Sequence, residues 1–353
     1  MKIKATIVVP TIREDSIRKF LKEWEEEFFQ NPGFDTSLIV IEDNPEKQFQ
    51  IARNESIAHY DWRDIDRDLG ENSWIIPRRT DCIRSYGYWK AWLQKPNMIV
   101  TLDDDCYPLE HYYHGKNANH KRFLLSHWNK LNNEIVLDRI SWISTVKKIR
   151  PRGLPYKRQY KKIRTANVIL NHGLWYNVPD FDAKTQLSLE KSDGLVDFEI
   201  NQVIPKNFYY PMCGMNLAWR PEATPALYFL LMGRNKDGES WGFDRFGDIW
   251  AGIIFKKIAD HLGYEITSGY PVVWHNRASN VLANLKKEAR GMVVNETFWE
   301  AIDAIDLRGR TVQECYSEIS HKLSLGGSYW NILKKSMQIW QNLFSPSSYE
   351  FSK

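Results

Sequence analysis

The chain has few of the features that would set it apart from ordinary folded proteins. Its 353 residues contain four cysteines, Cys82, Cys106, Cys213 and Cys315, with no CxxC pair among them. Neither a disulfide framework nor a thiolate zinc site is indicated, and buried free thiols are expected. Nowhere do about 18 apolar residues follow one another, as a membrane-spanning helix requires. The opening MKIKATIVVP is too short an apolar stretch for a signal peptide. A cytoplasmic protein is expected, with peripheral attachment to the cytosolic face of a membrane left open. The net charge of +4, from 48 basic and 44 acidic residues, is too small an excess to point to a nucleic-acid partner. No internal repeat or low-complexity tract is present.

What is there reads as a folded α/β chain, with 43% hydrophobic and 26% charged residues. Ala5 to Val9 is a short apolar, β-branched run ended by Pro10, the pattern of a buried parallel strand. Ile17, Phe20, Leu21, Trp24 and Phe28 then recur at helical spacing over residues 15–29. Ser37–Ile41 and Met98–Leu102 supply two further strands, Trp250–Leu262 an amphipathic helix, and Pro271–Trp274 a strand leading into His275. Strands alternating with helices predict a mostly parallel central sheet whose ligands sit beyond the carboxyl ends of the strands. Residues 1–294 are expected to form one catalytic body. Residues 295–353, with Trp330, Leu333, Met337, Ile339 and Trp340 on one face, form a C-terminal helical extension that packs on the body or joins subunits of a homo- or hetero-oligomer.

Asp103, Asp104 and Asp105 directly follow the strand at 98–102. Adjacent carboxylates repel unless a cation or hydrogen bonds compensate, and a bound divalent ion is the economical explanation. Mg²⁺ or Mn²⁺ takes oxygen ligands and shares its remaining positions with substrate phosphates, as a diphosphate leaving group needs. A solvated turn is the plainer alternative. Residues 147–164, KKIRPRGLPYKRQYKKIR, are rich in Lys and Arg and lack acids, which suits either a phosphate-bearing ligand or an exposed loop.

A set of ordered segments carries a resemblance: VVPTIR at 8–13, RSYGYW at 84–89, TLDDDCYP at 101–108, NHGLWYNVPDFDAKTQL at 171–187, PMCGMNLAW at 211–219, and FGDIWAGIIFKKIADHLGYEITSGYPVVWHNRASN at 246–280. Together they resemble the reversibly glycosylated polypeptides, also called UDP-arabinopyranose mutases, which are glycosyltransferases of GT-A fold. The resemblance implies a GT-A-like, Rossmann-type sandwich and a UDP-sugar ligand, UDP-arabinose above all. It also implies interconversion of the pyranose and furanose forms, with reversible self-glycosylation on an arginine. Arg152, in Arg152-Gly153-Leu154-Pro155, stands at that arginine's position, with Leu154 where the family has an aromatic residue; a phosphate-binding arginine is the alternative.

The resemblance further implies a metal site of Asp103, Asp105 and His275 holding Mn²⁺ or Mg²⁺, imidazole favouring Mn²⁺. Asp248 and Asp182 are carried over as catalytic candidates; Asp248 could instead complement a helix dipole, and Asp180 and Asp182 could be turn residues. The substrate is expected against Pro10, Thr11, Arg13, Asp43, Arg84, Asp103, Asp104, His172 and Trp175. Two other readings stay open: a metal-dependent transfer of sugar to a separate acceptor, and a non-catalytic UDP-sugar-binding subunit of a hetero-complex.

Overall fold

The computed structural model describes residues 2–51, 55–114, 122–139, 161–178, 181–188, 202–235, 237–276 and 280–345. Arg152 and Asp180, and most of the basic segment, lie outside the described residues. The chain begins with β1 (Ile3–Thr11), α1 (Glu14–Glu23), α2 (Glu25–Phe29), β2 (Phe34–Glu42), β3 (Ile57–Tyr60), α3 (Trp62–Leu69), α4 (Arg84–Leu93) and β4 (Met98–Leu102). After the aspartates come β5 (Cys106–Pro108), α5 (Phe123–Asn133), the antiparallel pair β6 (Ile135–Arg139) and β7 (Lys161–Thr165), then β8 (Val168–Asn177), α6 (Ala183–Ser188) and β9 (Gln202–Val203). β10 (Asn216–Trp219), α7 (Gly247–Leu262), β11 (Glu265–His275), α8 (Val281–Asp303), α9 (Val312–Lys322) and α10 (Ser328–Asn342) complete the chain.

The main sheet runs β3-β2-β1-β4-β10-β8-β11-β5, with β9 also on β11. β1, β2, β3, β4, β8 and β11 share one direction, and β5, β9 and β10 run against them. This is the α/β, mostly parallel sheet that the alternating pattern predicts. β1 and β4 are central and buried on both faces, which is why Ala5–Val9 and Met98–Leu102 read as continuous apolar runs rather than alternating ones. Period-2 geometry divides their side chains between two cores: Ile7, Val9, Val40 and Val100 face α1, α2 and α5, while Val8, Ile39, Ile41 and Ile99 face α4, α7 and the C-terminal helices. α4 lies directly on the sheet because Gly87 has no Cβ; one would fall 2.4 Å from Val8 Cγ1.

Two expectations need correction. The helix read over 15–29 is two helices that meet at Trp24, whose φ and ψ of −96° and 2° depart from helical values although its N–H still donates to the Phe20 carbonyl at 3.0 Å and its carbonyl accepts from the Phe28 N–H at 2.9 Å. The cause is tertiary: the buried Trp24 indole donates to the Cys106 carbonyl at 2.9 Å and stacks on Phe28 at 4.9 Å, fastening α1 and α2 to the strand just past the aspartates. A boundary after residue 294 falls inside α8, which runs unbroken from Val281 to Asp303. Phe298, Trp330 and Trp340 join Trp219 and Trp250 in one core. Each large aromatic buries roughly 150–250 Å², so these helices belong to the body's own stability. Among the described residues no helix is long and apolar enough to cross a membrane.

Candidate functional site

The carboxyl ends of β1, β2 and β4 point the same way, and the chain beyond each end meets in a cleft of about 560 Å³. Pro10, Thr11, Arg13, Asp43, Arg84, Asp103, Asp104 and Asp248 all line it. Eight of the residues singled out from sequence are thus brought together from positions scattered over most of the chain.

The aspartate cluster is compensated by side chains of the protein itself. Arg84, buried at the start of α4, donates from Nη2 to Asp103 Oδ1 at 2.6 Å, and from Nη1 to the Gly214 carbonyl at 2.5 Å and Thr101 Oγ1 at 3.3 Å. Burial pushes the Asp103 carboxyl up, but attraction and hydrogen bonding from Arg84 outweigh it and hold the group below its ordinary value. Arg13 pairs with Asp104 through both Nε and Nη2 and reaches Asp105 Oδ2 at 3.1 Å; Thr11 Oγ1 donates to Asp104 Oδ2 at 2.6 Å. Both guanidinium groups are held protonated, their carboxylate neighbours overcoming the burial that acts against charge. Asp105 is pushed up to about 6, first by burial and then by repulsion from Asp103, with His275 opposing the shift. Where the sequence suggested a divalent ion as compensation, the fold supplies two arginines.

Asp43, buried at the end of β2, is also pushed up to about 6 by burial, although the Trp62 indole donates to its Oδ1 at 2.6 Å. Asp248 occupies the first turn of α7 and accepts from the Gly214 backbone N–H at 3.1 Å, so the loop before β10 bridges Arg84 and Asp248.

The remaining candidates lie elsewhere. His275 ends β11 beside Asp105, its Nε2 3.8 Å from Asp105 Oδ1, while its Nδ1 hydrogen-bonds the Val178 carbonyl at 2.8 Å. Among the described residues no group of three or more His, Cys, Asp or Glu gathers as a metal cage. His172 is buried in β8, its Nδ1 2.9 Å from Tyr210 Oη and its ring edge-on to Trp175 at 5.6 Å. Burial pulls its pKa down to about 4, so this imidazole is neutral at pH 7. His172 and Trp175 are not among the residues lining the cleft. Asp182 stands exposed before α6 and accepts from the Thr185 backbone N–H at 3.0 Å, the geometry of a helix cap.

Sequence reasoning missed Arg79, Asp81, Asp244, Arg245 and Lys287, all of which line the cleft. Arg79 and Arg245 have positive φ, 60° and 64°, and no local pattern announces that. Arg245 is braced by Glu288 of α8, whose Oε1 accepts from Arg245 Nε at 2.8 Å and whose Oε2 accepts from the Ala183 N–H at 2.8 Å. The Asp244-Arg245 pair, four and three residues before Asp248, was the available signal.

A family model described as reversibly glycosylated polypeptide matches residues 2–348. UDP-arabinopyranose mutase 3 of Arabidopsis thaliana is 34% identical over 96% of this chain and 90% of its own length. A probable UDP-arabinopyranose mutase 1 of Solanum tuberosum is 35% identical over the same shares. Among solved structures, glucosyl-3-phosphoglycerate synthase from Mycobacterium tuberculosis, in complex with Mn²⁺, uridine diphosphate and phosphoglyceric acid, has a TM-score of 0.43 at 14% identity, covering 87% of this chain and 81% of that one. By the extent of the family match and of these relatives, the chain belongs to the reversibly glycosylated polypeptide family.

Proposed function

We propose that the chain is a UDP-sugar mutase of GT-A type that interconverts UDP-arabinopyranose and UDP-arabinofuranose. One observation carries the reading: an acidic strand end, its carboxylates fixed by Arg13 and Arg84, opens into a cleft with further cations at Arg79, Arg245 and Lys287. Relatives that bear the name mutase over 96% of this chain support it.

In this reading Arg79, Arg245 and Lys287 receive the diphosphate, Asp43 and Asp104 the nucleoside, and Asp248 the sugar hydroxyls. Preorganised cations stabilise the charge that grows on the diphosphate as the bond from sugar C1 to the β-phosphate oxygen breaks, and that oxygen keeps the electron pair. A nitrogen of Arg152 is then the sugar's acceptor: it bonds C1 and gives a proton to a carboxylate, the ring oxygen leaves C1 and takes up a proton, a different hydroxyl closes on C1 as it loses its own, and the β-phosphate oxygen finally displaces the arginine, which recovers its proton. A guanidinium with a pKa above about 12 needs carboxylate neighbours to act as an acceptor.

A divalent cation, Mn²⁺ or Mg²⁺, belongs to the proposal. Asp105 and His275 fit it as ligands, because His275 Nδ1 is engaged by Val178 and its Nε2 faces the Asp105 carboxylate; Asp103 would be the third. Such an ion, when bound, adds Lewis-acid stabilisation of the departing diphosphate. Incubation with UDP-arabinopyranose and Mn²⁺, followed by chromatography, is expected to yield UDP-arabinofuranose. Transfer of sugar to an added acceptor with no isomerised nucleotide sugar would replace the mutase reading by a transferase one.

A further inference from the structure

Next to the cleft lies a second, larger cavity of about 1170 Å³, sharing Arg79, Thr80, Asp244 and Lys287 as a common wall. None of its remaining lining was singled out from the sequence. Trp62 forms part of the partition: its indole N–H is fixed on Asp43 in the first cleft, while its ring lies 5.4 Å from the Arg79 guanidinium and 5.9 Å from that of Arg78 in the second cavity.

The cavity is cationic beyond its internal pairing. Arg78 is matched with Asp66 at 3.0 Å and Lys287 with Asp244 at 3.4 Å, and Glu71 is the other acid on the lining. Lys286 and Arg290 on α8, and Arg234 opposite them on the 233–242 loop, have no carboxylate within 4 Å among the described residues. Lys286 and Arg290 are one helical turn apart, and like charges at that spacing repel unless an anion lies between them. Arg290, though exposed, is placed by its contacts. Its guanidinium sits 5.1 Å over the Phe243 ring, and it lies against Gly242, whose φ of +91° has the chain turn beneath it; a Cβ there would meet Arg290 Nη1 at 2.5 Å. The half-buried Trp62 and Trp74 give the same cavity flat apolar surface.

Cations without carboxylate partners, Arg290 held over Phe243 and Lys286 exposed one turn away, beside indole faces, form a recognition surface for a phosphate group carried on a small polar ring. We propose that the second cavity is a binding site for a phosphate monoester, with Lys286 and Arg290 as its principal phosphate ligands, separate from the nucleotide-sugar cleft and sharing a wall with it.

The test titrates the full chain, saturated with UDP so that the first cleft is filled, with inorganic phosphate and with glucose 1-phosphate by calorimetry. Saturable binding is expected, weakened at least tenfold in the Lys286→Glu, Arg290→Glu double variant, whose UDP affinity stays within twofold of the parent. Tighter binding of glucose 1-phosphate than of inorganic phosphate supports a sugar phosphate as the ligand, and equal binding supports recognition of the phosphate alone. If circular dichroism shows the double variant unfolded, Lys286→Glu by itself, at an exposed position, is expected to weaken binding at least threefold. No saturable binding to the UDP-saturated parent, or equal affinity in parent and folded variant, overturns the site. Failure of UDP itself to bind overturns the functional reading instead. The phosphate titrations are then compared between parent and variant without UDP, since neither Lys286 nor Arg290 lines the first cleft.

Discussion

Two strands of the same sheet, β4 with its aspartates and β8 with its buried histidine, separated by β10 alone, solve the problem of polar groups in a core in opposite ways. At β4 the carboxylates are met by cations: Asp103 beside Arg84 is held below its ordinary value, while burial pushes Asp104 up in spite of Arg13. At β8 the charge is removed: His172 is buried against Tyr210 and its pKa is pulled down to about 4, and His127 beneath it, hydrogen-bonded to Asn216 at 3.0 Å, is pulled down by burial to about 3. A cation held by a carboxylate can turn to an anionic ligand without first being desolvated, whereas a neutral imidazole offers only hydrogen bonds. The end of β4 suits a diphosphate; β8 gives its histidine a neutral, buried place away from the cleft.

The largest effect is expected from breaking the charged end at its most buried member. Arg84→Ala leaves Asp103 without its partner, and losing one member of a buried pair costs about 3–5 kcal/mol, to be read as a lowered denaturant midpoint. The next test sets the cleft, through Asp43 at the end of β2, against β8 by pH. Asp43 carries a raised pKa of about 6 in the fold, so its contribution to stability is present at low pH and is lost as pH rises from about 4 through 6. His172 carries a lowered one of about 4, so stability is lost as pH falls from about 6.5 through 4. Asp43→Asn should remove a decline of roughly 2–3 kcal/mol on the alkaline side of that window, and His172→Gln a decline of similar size in the opposite direction. Urea midpoints at pH 4, 5, 6 and 7 check both, and slopes of the same sign in the two variants would dissolve the contrast. The smallest effect belongs to Thr11→Val, which removes one of several donors to Asp104 and should cost about 1 kcal/mol, seen as a small fall in Tm.

The sequence showed where the charged end lies but not how it is held. β1, β2 and β4 were legible because a strand buried on both faces is a plain apolar run, and the aspartates follow from where β4 stops. Arg13 and Arg84 were recognisable as site residues, yet their pairing with aspartates 91 and 19 positions away was not. Sequence spacing carries no record of such contacts. The same holds for the break at Trp24, where the indole meets a carbonyl 82 residues distant, and for the positive φ of Arg79 and Arg245, which no local sequence pattern announces. Asp182, read from the sequence as a catalytic candidate or a turn residue, makes a capping bond at an exposed helix start.

The central claim is that the strand end at Asp103–Asp105 carries the chemistry of a UDP-sugar mutase. Its most direct test is the rate of UDP-arabinofuranose formation from UDP-arabinopyranose with Mn²⁺, followed by chromatography, for the parent and for Asp103→Asn at equal folded concentration. The account predicts turnover by the parent and a loss of roughly 100-fold or more in the variant, the scale of removing one charge from a preorganised site. No furanose from a parent that binds UDP, or equal rates in the two proteins, would contradict it.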